Sequence, residues 1–563
     1  MSPPLVQVQS PTIPPASADV VVIGGGIVGI FTAYYLAKRG ISVAVVEKGR
    51  IGAEQSSRNW GWCRQQNRDA RELPMATKSI DLWEQFSAET GEDTGFTRCG
   101  LLYLSNDDEE IARWAAWGDF AKTAGVTTYM LDSKQAAERG HATGRAWKGG
   151  VFSPTDGTAD PGKAAPAVAR AIMKLGGHVI QNCAARGIET EGGRVSGVIT
   201  EAGVIKTKVA VMAGGAWASS FCHQLGIRFP QASVRQSIMS VAPMEQPLPG
   251  ALYTSGVAVT RRSNGSYALA ISGRARVDPT MQFLRFSPQF LPMFAKRWRS
   301  LSPGGLEAWR SGHETLSRWR MDAPTPMERM RILDASADPV SIRATHRRAV
   351  ELLPQLAQAK VTHTWAGYVD STPDGVPGIG ELPQTPGLIL AAGFSGHGFG
   401  IGPGAGHLIA DLASGVEPIV DPRPYHPNRF SDSSWGKVAD SEAVQRRQGT
   451  GWKARLAASR KTRWRSVSPW RPGSSAMMGA GSSCQPGSTR FRLPSATRCA
   501  QSHSERATKP SPSSAQSRVM VPSLDDSAPL SLTVSALPVR RPALSTGVKR
   551  RRLRSSSFSR RLR

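Results

Sequence analysis

The hydrophobic pattern begins abruptly at Val20, where Val20, Val21, Val22 and Ile23 form an unbroken β-branched run after the polar Asp19. Such a run predicts a parallel strand buried on both faces. The stretch from Val20 to Ala37 carries no charge along its whole length, which brings it to the lower limit for crossing a bilayer. Three consecutive glycines and two tyrosines inside it predict instead a buried strand followed by a buried helix, closed near Gly40. Ile41 to Val46 repeats the strand pattern. Further strands are expected over Gly177 to Glu189, Lys206 to Ala213, Leu252 to Thr260 and Ser266 to Ile271, the last two joined across Asn264 and Gly265 as a hairpin. Leu388 to Ala392 is a short apolar strand that empties into a glycine-rich turn and a helix capped by Gly415. The Arg- and Trp-rich stretch from Phe283 to Arg331 reads as helices.

Length and charge change this picture mainly at the ends. With 563 residues the chain has material for two or more domains. Its formal charge of +27 suggests a nucleic-acid or membrane ligand until it is divided along the chain. Residues 441–563 hold 25 Lys/Arg against 4 Asp/Glu, leaving only +6 on the rest. From about Ser431 the periodicity stops and Ser, Arg, Pro and Gly dominate, so 431–563 is expected to be a disordered basic tail. Two readings of it stay open: read-through or frame-shifted sequence, or an arm binding nucleic acid or anionic membrane. Few aromatics interleave with its arginines, so no specific nucleic-acid recognition is expected. Residues 1–18 are Pro-rich and lack the basic and apolar regions of a secretory signal, which predicts a disordered leader. Six scattered cysteines without a CxxC pair point to a reducing, cytoplasmic setting and to no metal site.

Chemistry enters at Gly24, Gly25, Gly26, Ile27, Val28 and Gly29, a GxGxxG between strand and helix. Gly24 permits the tight turn, Gly26 lets backbone approach a pyrophosphate, and Gly29 allows close helix packing, while the helix N-terminus offers free N–H groups to phosphate. Glu47 ends the next strand, placed to accept hydrogen bonds from ribose hydroxyls. The unit predicts dinucleotide binding without separating FAD from NAD. The second strand-to-helix turn, after Leu388 to Ala392, can bring backbone N–H groups to the far end of a long cofactor, and FAD is long enough to need both.

These segments together resemble the D-amino acid oxidase-like family of FAD-dependent oxidoreductases, which includes glycine and sarcosine oxidases, D-amino acid dehydrogenases and amine oxidases. The resemblance runs from about Asp19 to Gly415. It rests on VVVIGGGIVG with Glu47, the SSRNWGW loop, TDGTADPGKAAPAVARA, VAVMAGGAWAS, WAGYVDSTPDGVPGIG and AAGFSGHGFG. It implies an α/β fold: a doubly wound, Rossmann-like FAD-binding domain of separated segments (19–95, 151–228 and 361–430), and an α+β substrate domain with an antiparallel sheet (96–150 and 229–360).

The same resemblance implies flavin contacts at Gly24, Gly26, Gly29, Glu47, Ser57 and Arg58, at Ala184 and Gly214, and at the turn Gly396, His397, Gly398 and Phe399. Arg64, Tyr368 and His397 are the catalytic candidates. His397 reads either as a base or as a source of backbone contacts, and Arg64 as a substrate-facing or a surface group. Trp60 and Trp62 wall a substrate slot or belong to the core. Relatives that grip a substrate carboxylate with an arginine after WAGY have Val369 here, so either another arginine such as Arg64 or Arg235 takes that role or the substrate has no carboxylate there. Asp370 can attract a cationic amine or simply form the turn. Relatives with covalent flavin use a cysteine just before this motif; Thr364, Trp365 and Ala366 offer none, so noncovalent FAD is expected. The implied reaction removes a hydride from the carbon beside a neutral amine of a small amine or amino acid, with oxygen or another acceptor taking the electrons. A flavin-bearing subunit of a larger dehydrogenase, or peripheral membrane association, is the alternative.

Overall fold

The computed structural model describes residues 2–244, 250–306 and 318–431. The basic tail from 432 onward, with every expectation attached to it, lies outside the described residues, as do 307–317 of the Arg- and Trp-rich stretch.

Val20–Ile23 sits near the middle of a six-stranded sheet, which is why its run is apolar on both faces. Val43–Val46 and His178–Ile180 lie in parallel on one side of it, Val209–Met212 and Leu388–Ala392 in parallel on the other, and Gly378–Glu381 closes that edge antiparallel. Helices Ile27–Lys38, Ala164–Lys174 and Gly402–Ser414 cover one face. The first is buried from Ile27 through Ala37, so the uncharged stretch is interior and not a span. Among the described residues no helix is long and apolar enough to cross a membrane.

The opposite face departs from a doubly wound layout. It is covered chiefly by a three-stranded antiparallel sheet, Ala185–Glu191, Arg194–Thr200 and Gly203–Lys206, whose Ile188, Val198 and Ile205 pack under Val21 and Ala44. Two strands expected to be continuous are therefore split between sheets. Asn182, at φ 53°, breaks Gly177 to Glu189 into His178–Ile180 and Ala185–Glu191. Thr207, whose hydroxyl donates to the Asp19 carbonyl, separates Gly203–Lys206 from Val209–Met212.

The leader expected to be disordered is instead docked along this domain. Val6 N–H donates to the Gly162 carbonyl, Gln181 donates to the Val8 carbonyl, and Ser17 bridges to Lys206 at the edge of the three-stranded sheet. Val8 is buried. Its backbone groups find sheet-edge partners, which composition alone cannot reveal.

The second large sheet has ten strands. Ala232–Val241 pairs with Tyr267–Ala270, this with Ala258–Arg261, then Ala251–Tyr253, Leu101–Ser105 and Gly149–Ser153. Val361–Ser371 pairs antiparallel along Ala232–Val241. This strand and Gly149–Ser153 belong to the ten-stranded sheet, so the boundaries expected at 361 and 151 each part a strand from the sheet it pairs in. Leu252 to Thr260 is interrupted by a turn at Thr254 to Val257, while the hairpin through Asn264 and Gly265 forms as expected. Phe283 to Arg331 gives the helix Met281–Arg297 and the short Pro326–Arg329, with the strand Leu301–Pro303 between.

Strand alternation gives this sheet two faces. Met239, Leu269, Val259, Leu252 and Leu102 face the helix Pro339–Leu352. The other face is floored by small residues, Ala251, Ala258, Ala268 and Ala270, flanked by Trp365 on one side and by Tyr253 and Tyr103 on the other. Trp60 and Trp62, from the loop that follows the dinucleotide unit, pack onto it, and the Trp62 indole donates to Thr260 Oγ1 at 2.6 Å. The alanine face is thereby covered by the loop that follows the first strand–helix–strand unit.

Candidate active site

Gly24 takes φ 111°, and a Cβ there would meet the Ala213 carbonyl oxygen at 2.5 Å, so no other residue fits the turn. A Cβ at Gly29 would be driven into the Gly24 carbonyl. Gly26 has no such backbone neighbour; it borders an open cleft lined also by Gly24, Glu47, Ser56, Ala213 and Gly214. Glu47, at the end of its strand, accepts from the Gly25 and Gly49 N–H groups, each at 2.7 Å. Burial raises its carboxyl above the usual range, opposed by the charge of Lys48. A backbone-lined cleft, open at Gly26, beside a helix N-terminus and ending at a carboxylate suits an adenosine diphosphate moiety.

The helix Gly402–Ser414 lies against Ile27–Lys38: a Cβ at Gly402 would be 3.1 Å from Ile27, and Gly406 packs on Phe31. Two glycine turns about 370 residues apart thus bring their helix N-termini side by side. The residues fit FAD: one end has the cleft, and the other has the Gly396 to Phe399 turn beside the alanine face, where Gly396 adjoins Val369. Gly24, Gly26, Glu47, Ser56 and Gly214 would hold the dinucleotide end. The backbone of residues 396–399 and the N-terminus of Gly402–Ser414 would meet the ring.

Other expected contacts are differently placed. Ser57 is buried with its hydroxyl on the Glu54 carbonyl, whereas Ser56 accepts from Ile27 N–H at 2.9 Å and lines the cleft. Arg58 is buried and donates to Asp334 at 2.6 Å and to the Ala53 and Ala366 carbonyls; it clamps loop to sheet rather than facing phosphate. Ala184 is wholly buried and its N–H donates to Glu201, while Ala185 borders the cleft. Phe399 is core, tilted against Trp83. Lys48, Glu54 and Trp217 line the same cleft and are missed by sequence reading. The Lys48 ammonium pairs with Glu54 and sits 4.5 Å from the Trp217 ring, all three lining the cleft. Burial alone would raise the Glu54 carboxyl, but Lys48, the Leu333 N–H and the Trp217 indole together hold it below the usual range. The KGRIGAE spacing carries no signal for this pair.

The catalytic candidate Tyr368, and Arg235, offered as an alternative carboxylate-binding arginine, point away from the alanine face. The Tyr368 hydroxyl donates to Asp278 at 3.1 Å, and Arg235 donates to the same carboxylate at 2.9 and 3.1 Å. His397 and Arg64 do lie near each other. His397 Nδ1 is 2.9 Å from Glu72, a wholly buried carboxylate. Burial pushes the imidazole below its usual range, opposed by Glu72 and helped by Arg68 and Arg64. The neutral ring therefore places its proton on Nδ1 toward the carboxylate, leaving Nε2 as the basic atom. The Arg64 guanidinium donates to the Gln66 carbonyl and neighbours Tyr103, Tyr253 and His397. Trp62 is core, in contact with Trp60, Tyr103 and Tyr253.

Asp370 is not a cation trap. It is buried and accepts from Gln231 at 3.0 Å and from Gly393 N–H at 2.9 Å, tying the sheet to the turn that leads to His397. Burial raises its carboxyl to about 6 despite these bonds. The folded state thus binds this proton more tightly than the unfolded chain, and the contribution to stability falls as pH rises between about 4 and 6. Relative to wild type, Asp370→Asn should gain about 3 kcal/mol of stability between pH 4 and pH 7, measured by urea unfolding of both proteins. A constant difference would show the group titrates normally.

Residues 19–412 match the family model described as DAO, FAD dependent oxidoreductase. The chain is 27% identical over 429 residues to glycine oxidase of Pseudomonas putida KT2440, covering 73% of this chain and 98% of that one. It is 27% identical over 426 residues to sarcosine oxidase subunit beta of an Arthrobacter species, covering 74% of this chain and 92% of the relative. Among solved structures, L-amino acid deaminase of Proteus myxofaciens, in complex with anthranilate, superposes with a TM-score of 0.73 at 27% identity, over 77% of this chain and 98% of that one. With the glycine turn, the acidic strand end and the paired helix N-termini in place, the chain belongs to the DAO family of FAD-dependent oxidoreductases and is an enzyme of amine or amino acid oxidation.

Proposed function

We propose that the chain oxidises the carbon–nitrogen bond of a small amine or amino acid, with noncovalent FAD accepting a hydride and water then hydrolysing the imine product. The observation that carries this reading is the convergence of the Ile27 and Gly402 helix N-termini beside a cleft ending at Glu47, with an alanine-floored sheet opposite. Bound FAD supplies the hydride acceptor. The chain's own residues position and exclude. Small side chains at 251, 258, 268 and 270 form a flat apolar floor, Trp60 and Trp62 cover it against water, and the Gly402–Ser414 N-terminus favours negative charge at its mouth. His397 Nε2, beside this space, can accept a proton from a protonated amine before transfer.

Anaerobic mixing with D- and L-amino acids, N-methyl amino acids and polyamine derivatives should bleach the flavin absorbance with one class. A yellow protein bleached by none of them would overturn the reading. Glu47→Ala should weaken FAD retention about 10- to 100-fold, from lost charge-assisted hydrogen bonds to ribose, read by equilibrium dialysis of released flavin.

The likeness to a sarcosine oxidase subunit favours a second reading, in which the chain turns over only within a larger assembly. Purified alone and given an artificial electron acceptor, such a subunit would stay silent, whereas an independent enzyme would turn over.

A further inference from the structure

The docked leader gathers its contacts around the loop 49–54, which supplies Arg50, Gly52, Ala53 and Glu54 to the dinucleotide cleft. This loop is built of turns, so strand and helix ladders do not hold its backbone, and two side chains take up that task. Gln181 Oε1 accepts from Ile51 N–H at 2.9 Å, and Arg58 Nε donates to the Ala53 carbonyl at 3.1 Å.

Each of these side chains is tied in turn to the leader. The Gln181 amide nitrogen donates to the Val8 carbonyl at 2.9 Å and to Ser10 Oγ at 3.1 Å. Arg58 pairs with one carboxylate oxygen of Asp334, and the other accepts from Ser2 Oγ at 2.6 Å. Apolar contact runs alongside: Val8 is buried in the same cluster as Ile51 and Ala165, and Leu5 lies 3.8 Å from where a Cβ on Gly52 would stand. Further along, Ala16 and Ala18 pair with Lys206 at the edge of the three-stranded sheet. Between the two anchored parts Pro11, Thr12 and Ile13 are exposed, Ile13 to 81%. Prolines at 11, 14 and 15 have no N–H to give a neighbouring strand. Residues 2–10 can therefore leave the loop as one piece while 16–18 stay paired.

We propose that residues 2–10 are a strap, fastened by Gln181, that holds the 49–54 wall of the cleft in place and sets how fast FAD leaves it. The inference rests on the reading of that cleft as the FAD site. Gln181 and Val8 are positioning residues in it: they act through the loop and not by touching the cofactor. With the strap on, Ile51 and Ala53 move only by disturbing side chains that the strap also holds. With the strap off, Gln181 and Asp334 lose those partners, and local opening of the wall becomes more frequent.

The test follows FAD release from the loaded full chain after dilution, by flavin retained on rapid gel filtration, beside hydrogen exchange of the same protein. Gln181→Glu keeps an acceptor for Ile51 N–H and loses both donors to the strap, whereas Val8→Ala removes most of the strap's buried side chain. Each should hasten FAD release about 10-fold and speed exchange at Ile51 and Ala53 by a similar factor, with exchange along Ala232–Val241 within about 2-fold of wild type. Ile13→Ser, on the exposed connector, should leave release within about 2-fold. Exchange hastened alike in every buried strand would mark a merely stabilising role and overturn the proposal, as would FAD release unchanged in both Gln181→Glu and Val8→Ala. If the chain holds FAD and its release ignores the strap, this inference alone falls; if it takes up no FAD, the reading of the cleft falls with it.

Discussion

Alanine at position 29 is expected to cost the folded protein about 3 kcal/mol or more and to abolish flavin retention. The added Cβ would be driven into the Gly24 carbonyl oxygen and crowd Val22 and Ala213, so either the helix Ile27–Lys38 lifts off its sheet or the glycine turn opens. Both movements displace the backbone at Gly26, which borders the cleft. Gly40 provides the contrast. It ends the same helix at φ 75° with nothing within 4 Å of an added Cβ, so Gly40→Ala should cost only about 1 kcal/mol of backbone strain and leave FAD binding intact. Urea unfolding with flavin quantified at each step compares the two. Similar losses in both variants would show that helix propensity, not the close approach at Gly29, governs this unit.

Asp278→Ala should be about as damaging, at about 3–5 kcal/mol. Its carboxylate is wholly buried and accepts from Arg235, from the Tyr368 hydroxyl and from Gly305 N–H. Removing it strips a buried guanidinium of its counter-charge against the ten-stranded sheet. The companion variant Tyr368→Phe loses one neutral-to-charged hydrogen bond, about 1.5–3 kcal/mol, and should keep the rate of anaerobic flavin bleaching within about 3-fold. A bleaching rate lowered about 100-fold or more in a folded Tyr368→Phe would return Tyr368 to the reacting atoms and contradict its placement beside Asp278. Chemical denaturation and stopped-flow absorbance on the same preparations separate the two effects.

Local pattern is enough for the dinucleotide unit because every part of it lies within one strand–helix–strand segment and rests on backbone sterics. Gly24, Gly26, Gly29 and Glu47 are where their spacing puts them, and the hairpin at Asn264 and Gly265 forms from its own turn chemistry. Polar side chains are less legible, since a serine or arginine in a loop has no periodicity. Ser56 and Ser57 are adjacent and chemically identical, yet only Ser56 meets the helix N-terminus; Arg58 turns to Asp334, 276 residues away. The leader departs from expectation for the same reason. Its partners are the edges of strands and turns far along the chain, so proline content suggests disorder where the fold offers hydrogen bonds.

What the residue order determines by itself is the chemistry of close backbone approach: where the chain turns on glycine, which strands are buried on both faces, and where two glycine turns open into helices. Those follow from constraints between near neighbours in the chain. The tertiary structure alone decided which arginines meet a carboxylate, that a three-stranded sheet covers the second face, and that Val361–Ser371 crosses into the ten-stranded sheet. A charge is made available or neutralised by whatever lies opposite it in space, and Asp278, Asp334 and Asp160 reach their arginines only after the sheets have closed.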